Sequence, residues 1–208
     1  MARYVGPACR ICRRQGMKLF LKGTKCMTEK CPFNKRGFAP GQHGQARVKL
    51  SDYGVRLREK QKTKRMYGLL ERQFRQTFQQ ASRAKGVTGG KLLELLERRL
   101  DNVVFRLGFA TSRSQARQMV LHGHVRVSDR KVTIPSFSVK PKEMIQIVGS
   151  EKFLKGIQEI RELTKDRAVP PWLSRHAEEP RGEVLGIPGR QDVQFPIQEQ
   201  LIVELYSK

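Results

Sequence analysis

The stretch LERRLDNVVFRLGFATSRSQARQMVLHGHVRV, residues 96–127, decides the fold of the second half of this 208-residue chain. Leucine and valine recur in its first part at steps of three or four positions, as at Leu96, Leu100 and Val103. That spacing places apolar side chains on one face of a helix. Because the pattern also continues upstream, we predict a single helix over residues 91–108, with its apolar face directed at a core.

A second helix and a hairpin follow. Thr111 or Ser112 has the side chain of a helix N-cap, and Gly123 ends the short helix that begins there. Apolar and polar residues then alternate over HVRVSDRKVTI, residues 124–134, on either side of Asp129-Arg130, which predicts a β-hairpin with its turn at that pair. A further strand, EMIQIV, comes next. The whole predicts an α+β module of two helices and a small antiparallel sheet.

Upstream of this module, residues 46–95 are predicted to form a helical domain, which residues 196–208 complete. Ser51 or Asp52 caps a first helix with a strongly basic surface, and Gly68 closes it. A second helix has one apolar stripe, so its aromatic residues are expected in a core, where they do not stack on bases. The stripe consists of Leu70, Phe74, Phe78 and Ala81.

All four cysteines lie near the start of the chain, with the spacing C-x2-C-x13-C-x4-C. They are Cys9, Cys12, Cys26 and Cys31. Two close pairs separated by a loop suit the tetrahedral coordination of zinc, and disulfides are rare in the cytosol. We therefore expect a closed, structural zinc site that folds a basic segment and connector over residues 1–45. An iron–sulfur cluster, free thiols and redox chemistry are the alternatives.

The charge of the chain is high and unevenly distributed. Lys and Arg number 42 against 19 Asp and Glu, a formal net charge of +23. Residues 1–90 hold 22 basic and 4 acidic side chains, whereas the last 41 residues hold 4 basic and 6 acidic ones. A surface charged only for solubility mixes the two signs, so this balance indicates a polyanionic partner. Dispersed basic faces without a helix-turn-helix or zipper favour folded RNA over DNA.

Neither a membrane segment nor a secretion signal is predicted. No apolar run approaches the roughly 18–20 residues of a membrane span. The N-terminus MARYVGPACR has no apolar core of the signal-peptide kind. We expect a cytoplasmic protein without a membrane partner.

Candidate RNA-binding residues are the cations and polar donors of these basic segments. Arg113 and Arg117 lie four residues apart and are expected to project from one helix face, so changing both to Glu should weaken RNA binding with the fold intact. The helix start at Ser112 directs backbone N–H groups toward a phosphate. The predicted RNA-binding residues are Arg3, Arg10, Arg13, Arg14, Lys22, Arg36, His43, Arg47, Arg56, Arg58, Lys60, Lys62, Arg113, Ser114, Gln115, Arg117, Gln118, His122, His124 and Lys131.

The same residues carry a resemblance. Residues 96–148 resemble the S-four RNA-binding fold, whose motifs they follow without a gap. These motifs are Arg99-Leu100-Asp101, Phe105-Arg106, Ser112-Arg113-Ser114-Gln115-Ala116-Arg117 and Gly123-His124-Val125. Outside the module, YVGPACRICRRQGMKLFLKG, PGQHGQ, SDYGVRLREKQK and EQLIVELYSK continue the match. Over almost its whole length the chain is similar to the bacterial family of the fourth protein of the small ribosomal subunit.

The resemblance implies a structural constituent of the small subunit in the cytoplasmic ribosome. It implies primary binding of small-subunit (16S-type) ribosomal RNA, early enough to nucleate assembly. It also implies contacts with the third and fifth small-subunit proteins where messenger RNA enters, and an effect on decoding accuracy. In this scheme residues 96–195 form the RNA-binding domain and its C-terminal extension, and no small-molecule substrate is expected.

Two other classes of protein carry the same module, namely RNA-modifying enzymes and ribosome-associated factors. Some pseudouridine synthases use an aspartate in an Arg-Leu-Asp context, which Asp101 matches. No separate catalytic region remains once the other segments are assigned, and no phosphate-binding glycine loop is present. We therefore predict that the chain is not an enzyme and that Asp101 forms a surface ion pair with Arg98 or Arg99. The ribosome-associated factors tend to be smaller than this chain and to lack the cysteine segment.

Overall fold

A computed structural model describes residues 3–46, 49–193 and 195–207 of the chain. The helices are α1 (Ala8–Gln15), α2 (Pro32–Lys35), α3 (Asp52–Met66), α4 (Glu71–Arg83), α5 (Thr88–Glu97), α6 (Leu100–Arg106), α7 (Arg113–Leu121), α8 (Glu151–Leu163) and α9 (Glu199–Tyr206). The strands are β1 (Val125–Val127), β2 (Arg130–Lys131), β3 (Met144–Ile147), β4 (Leu173–Arg175) and β5 (Arg181–Val184). This mixture confirms the predicted α+β class. None of these helices combines the length and the apolar character that a membrane crossing requires.

The chain folds into two compact units. One consists of Met1–Leu92 together with Phe195–Lys208, and the other of Leu93–Gln194. Both ends of the chain therefore belong to the first unit.

The first unit is built from α1 to α4 and the last helix, α9. Ser51 caps α3 as predicted, because its Oγ accepts a hydrogen bond from the Gly54 N–H at 3.2 Å. Phe74 and Phe78 of α4 are buried, and the Phe78 ring stacks on Tyr206 of α9 at a centroid distance of 4.5 Å. The predicted aromatic stripe is thus a core, and α9 covers it.

The prediction of one helix over residues 91–108 is wrong. The helix ends with α5 at Glu97 and restarts as α6 at Leu100, because Arg99 has an extended backbone with ψ of 134°. The N–H of Leu100 donates to the carbonyl of Phe137 at 2.8 Å, where a continuous helix would need a bond to the preceding turn. Leu96 and Leu100 are both fully buried, so the apolar period continues across the break and hides it.

The second unit packs α6, α7 and α8 against one face of an antiparallel five-stranded sheet with the order β2-β1-β3-β5-β4. Its core gathers Val103 of α6, Leu107 directly after that helix, Val120 of α7, Ile145 of β3 and Trp172. The sheet is larger than predicted, since β4 and β5 come from a segment to which the sequence patterns assigned no strand. Helix α8 was not predicted either.

The hairpin lies where the alternation placed it, but its turn is one residue earlier. Ser128 and Asp129 both have positive φ, at 45° and 67°, which is the backbone of a tight two-residue turn between antiparallel strands. Arg130 already belongs to β2 and pairs with Val127. Ile134, expected to alternate inward, is 59% exposed because no strand extends that far.

Candidate nucleic-acid interface

The start of α7 has the geometry of a capped helix N-terminus. Ser112 Oγ accepts the Gln115 N–H at 3.3 Å, which confirms Ser112 as the N-cap. Ser114 is exposed at this first turn, and its Oγ lies 3.0 Å from Ser112 Oγ. The Gln115 side chain is engaged locally, since its Oε1 accepts from both the N–H and the hydroxyl of Thr111 at 2.8 Å. Ser114 is therefore the predicted contact that is open to solvent at this end.

Arg117 does not project from the exposed face of α7, which corrects the expectation that it shares such a face with Arg113. The residue is 5% exposed, and its Nη1 lies 2.9 Å from Asp101 Oδ2. Arg99 also binds Asp101, through Nε at 3.1 Å and Nη2 at 2.9 Å. Changing Arg117 to Glu would bury a carboxylate beside Asp101, so the variant pair with Arg113 would not leave the fold intact.

Asp101 is correspondingly an internal residue. It is 4% exposed, so the expected ion pair with Arg99 exists but lies in the interior. Two guanidinium groups occupy the carboxylate, and both are held inside the module. Asp101 thus has the surroundings of a structural charge and lacks the open side that a catalytic carboxylate needs.

Arg113 is held by a chain of buried polar groups. Glu97 accepts Arg106 through both carboxylate oxygens, at 3.0 and 2.7 Å, and also accepts the Asn102 amide. Asn102 Oδ1 in turn accepts Arg113 Nε at 2.8 Å. The Arg113 guanidinium lies 4.5 Å from the centroid of the Phe105 ring. Its orientation is therefore fixed by the protein before any partner binds.

Arg167 performs a related task that the sequence patterns did not reveal. Its guanidinium donates to the carbonyls of Phe105, Ala110 and Thr111 at 3.0 to 3.3 Å, and lies 4.4 Å from the Phe105 ring centroid. Burial, and then repulsion from other guanidinium groups, lowers the pKa of Arg167. One side chain thus fixes the loop between α6 and α7. Its position in a helix-terminal loop gave no periodic signal.

The remaining predicted residues of the module divide by exposure. Gln118, His122 and Lys131 are exposed. His124 is half-buried, with Nδ1 at 3.1 Å from the Val148 carbonyl and its ring stacked on Phe153 at 4.1 Å. Arg126 and Arg130, beside Lys131 in the hairpin, are also exposed cations.

Helix α3 is less uniformly cationic than its sequence suggests. Lys60 is buried and binds Glu71 at 2.7 Å, which corrects its assignment to an exposed binding face. Lys62 pairs with Glu59, Arg56 pairs with Glu204, both at 2.7 Å, and Arg58 Nη1 donates to the Arg14 carbonyl at 3.0 Å. Several of these cations hold the helices of the unit together, so the count of charges overstates the binding face.

Glu71 is the acid at the centre of this arrangement. It accepts Lys60, Lys64 and the Tyr206 hydroxyl. Burial acts to raise the pKa of Glu71, but the hydrogen bonds from the two lysines and from Tyr206 outweigh it and lower the pKa to about 2. Burial and the same bond raise the pKa of Tyr206.

The N-terminal segment keeps most of its predicted cations at the surface. Arg13 is half-buried and donates from Nε to the Phe38 carbonyl at 3.0 Å. Arg47 lies outside the described residues. The exposed predicted residues of this segment are Arg3, Arg10, Arg14, Lys22, Arg36 and His43.

The four thiols occupy one part of the first unit. Cys12, Cys26 and Cys31 are buried, Cys9 is half-buried, and none forms a disulfide. Backbone N–H groups point at two of the sulfur atoms, from Leu19 to Cys12 at 3.5 Å and from Lys22 to Cys26 at 3.4 Å. Burial raises the pKa of the Cys12 and Cys26 thiols, and repulsion from the other thiols adds to it.

The closeness of the thiols in sequence and the N–H groups directed at two sulfur atoms suit a metal bound through sulfur. The positions of the side chains do not form a set of metal ligands. Over the ranges that the structure describes, no three His, Cys, Asp or Glu side chains are grouped closely enough to hold a metal ion. The predicted zinc site is therefore not established by the structure.

The sequence matches two family models and many curated proteins. The model "Ribosomal protein S4/S9 N-terminal domain" matches residues 3–97, and "S4 domain" matches residues 98–145. Proteins named "Small ribosomal subunit protein uS4" from Thermoanaerobacter sp. (strain X514) and Thermodesulfovibrio yellowstonii are 57% identical over 208 residues, and one from Geobacter sp. (strain M21) is 56% identical. Each alignment covers all of both chains. The chain therefore belongs to the family of the small ribosomal subunit protein uS4 and carries the S4 domain of that family.

Proposed function

We propose that this protein is a structural constituent of the small ribosomal subunit that binds small-subunit ribosomal RNA. The observation that carries the proposal is the end-to-end match, since relatives with this name align at 57% identity over all 208 residues. The charge supports it, because the first 90 residues hold 22 basic and 4 acidic side chains. As a ribosomal constituent the protein would be located in the cytoplasm. Its role would be to bind RNA, and it would not act as an enzyme.

The module of α6, α7 and the hairpin would present a preformed surface to RNA. Arg113 is oriented by Asn102 and Phe105, and the loop before α7 is held by Arg167. Ser114 at the first turn of α7 combines a hydroxyl with nearby helix N–H groups, which favour phosphate. Since these groups need no rearrangement, binding does not lose the entropy of ordering them.

We also propose a time of binding and a set of neighbours for this protein. We expect the protein to bind the RNA early and nucleate assembly, and to lie beside the third and fifth small-subunit proteins where messenger RNA enters. An effect on decoding accuracy would follow from that location. We propose three domains for this function. They are the cysteine segment and connector (1–45), the helical domain (46–95 with 196–208) and the RNA-binding domain with its extension (96–195).

Cys9, Cys12, Cys26 and Cys31 are proposed to hold a structural zinc ion. Support comes from the spacing of the cysteines, the burial of three thiols and the N–H groups directed at two sulfur atoms. When bound, the ion would supply a tetrahedral cross-link to a segment with few apolar residues.

Metal analysis and unfolding test this zinc proposal. The purified protein should contain about one zinc per chain, and a chelator should lower its melting temperature. A Cys26→Ser variant should lose both the metal and the response to chelator, whereas Met27→Ser at the next, exposed position should keep them. Protein that contains no zinc and melts unchanged with chelator would refute the site.

Selective RNA binding tests the main proposal. The full chain should bind a transcript of the small-subunit RNA more tightly than a large-subunit fragment of equal length, at a salt concentration that weakens nonspecific phosphate contacts. Crosslinking to total cellular RNA should map mainly to the small-subunit RNA. Equal affinity for both transcripts, with crosslinks spread over all RNA, would show a general polycation and sink the proposal.

A further inference from the structure

A cavity in the first unit brings together arginines that are distant in sequence. It has a volume of about 510 Å³ and lies between α1, α3 and the neighbouring loops. Small-molecule sites commonly enclose about 300–1,000 Å³. The four arginines that line it are Arg10 and Arg14 of α1 and Arg58 and Arg65 of α3.

The charge of the cavity is uncompensated within the described chain. None of the described residues that line it is acidic. Arg10 and Arg14 are exposed, and their guanidinium groups have no acceptor among the described residues. Arg58 is fixed by its 3.0 Å bond to the Arg14 carbonyl, so it remains directed at this region. Four positive charges around one concave space attract an anionic ligand.

The walls of the cavity are not only charged. Ile11, Leu50, Leu57 and Pro40 give it an apolar lining. The Arg65 guanidinium lies 4.4 Å from the centroid of the Tyr4 ring, and both residues line the cavity. Aromatic rings and guanidinium planes are surfaces on which unstacked RNA bases lie. A bare phosphate would use the arginines and leave this lining without a partner.

We propose that this cavity binds one unpaired nucleotide of the RNA, with its phosphate at Arg10 and Arg14 and its base against Tyr4, Arg65 and Leu57. This assignment rests on the RNA-binding function proposed above. A duplex presents its bases stacked inside the helix and would leave the lining unfilled. An acidic peptide would neutralise the arginines, but it need not contain a flat ring to fill the apolar lining. We therefore favour a nucleotide as the occupant.

Two kinds of variant separate stacking from charge. Tyr4→Ala removes the aromatic surface without changing the charge, and should weaken binding to the small-subunit RNA transcript about ten-fold, with an unchanged salt dependence. Arg10→Ala combined with Arg14→Ala should reduce the slope of log affinity against log salt by about 0.7, since the one phosphate that they share contributes about 0.7 on a single strand. Arg72→Ala combined with Arg75→Ala removes two exposed charges of α4 and is the matched control.

Photocrosslinking identifies the occupant. The full chain with Tyr4→p-benzoylphenylalanine should crosslink to one unpaired position of the transcript. Crosslinks spread over paired regions, or Tyr4→Ala binding like the wild type, would overturn the nucleotide site. An arginine-pair variant that behaves like the α4 control would overturn it as well. If the wild type itself shows no preference for this transcript, the proposed function fails, which is a distinguishable result.

Discussion

Helices α1 and α7 are of similar length and both carry arginines, but the two helices use them in opposite ways. In α7, Arg117 is buried against Asp101, and Arg113 is held by Asn102. In α1, Arg10 and Arg14 are exposed around a cavity that no described acidic residue lines. The difference lies in the neighbours, since α5 and α6 supply Glu97 and Asp101, whereas Glu29 is the single acid in residues 1–51. Arginines near buried acids build the module, and those in acid-poor segments are left for a partner.

Removal of the Asp101 carboxylate tests whether buried ion pairs hold the module together. Asp101→Ala removes the shared partner of Arg99 and Arg117 and leaves both guanidinium groups buried without it. The free energy of unfolding should fall by about 3–5 kcal/mol, because the two guanidinium groups would stay buried without the carboxylate that offsets their desolvation. Urea unfolding measures the loss. Asp166→Ala, at an exposed acid of the same unit, should change it by less than about 0.5 kcal/mol; equal losses for the two variants would contradict the assignment.

A smaller loss of stability is expected when Glu71 is changed, because its ion pairs with Lys60 and Lys64 lie nearer the surface. Its pKa is lowered from 4.5 to about 2 in the folded chain, so its contribution is present above about pH 5 and is lost as the pH falls toward 2. Because the Glu71 side chain is 46% exposed, solvent screening limits this contribution to about 1 kcal/mol.

Unfolding of Glu71→Gln as a function of pH checks this expectation. The variant should be less stable than the wild type at pH 7 and should match it near pH 2, where Glu71 becomes protonated. Glu29→Gln, at an exposed acid of the first unit, is the control for loss of charge. A stability difference between Glu71→Gln and the wild type that stays constant from pH 7 to pH 2 would speak against the lowered pKa.

The salt dependence of RNA binding should distinguish the exposed arginines of α1 from the buried Arg117 of α7. If about eight phosphates are neutralised, log affinity of the wild type should fall with log salt at a slope of about −6 to −7. Arg10→Ala combined with Arg14→Ala should reduce the magnitude of this slope by about 0.7, because the two arginines share one phosphate of a single strand. Arg117→Lys keeps an internal charge beside Asp101 and should leave the slope unchanged, with a small loss of stability. Filter binding at several salt concentrations gives both slopes, and a reduced slope for Arg117→Lys would show that this residue contacts RNA.

Local patterns predicted much of the fold. The cap at Ser51, the buried stripe of α4, the cap at Ser112 and the strand β3 all follow from residue types at short spacing. The family was also recognisable from motifs that lie close together in sequence. These features depend on neighbours within one or two helical turns, so the sequence displays them directly.

The errors concern features that depend on distant residues. The break between α5 and α6 is fixed by carbonyls of Pro135 and Phe137, more than thirty residues downstream. The burial of Arg117 depends on Asp101 in another helix, and that of Lys60 on Glu71. Helical spacing gives the face of a residue but cannot say whether that face meets solvent or an acid. For the same reason, the four arginines around the cavity could not be grouped before α1 and α3 were placed together.

The position of α9 has a consequence for synthesis. Tyr206 stacks on Phe78, and Arg56 binds Glu204, so the amino-terminal unit contains residues that are synthesised after the whole of Leu93–Gln194. Residues 93–194 can therefore fold as a unit before α9 has been synthesised. The unit that is begun first is therefore completed second.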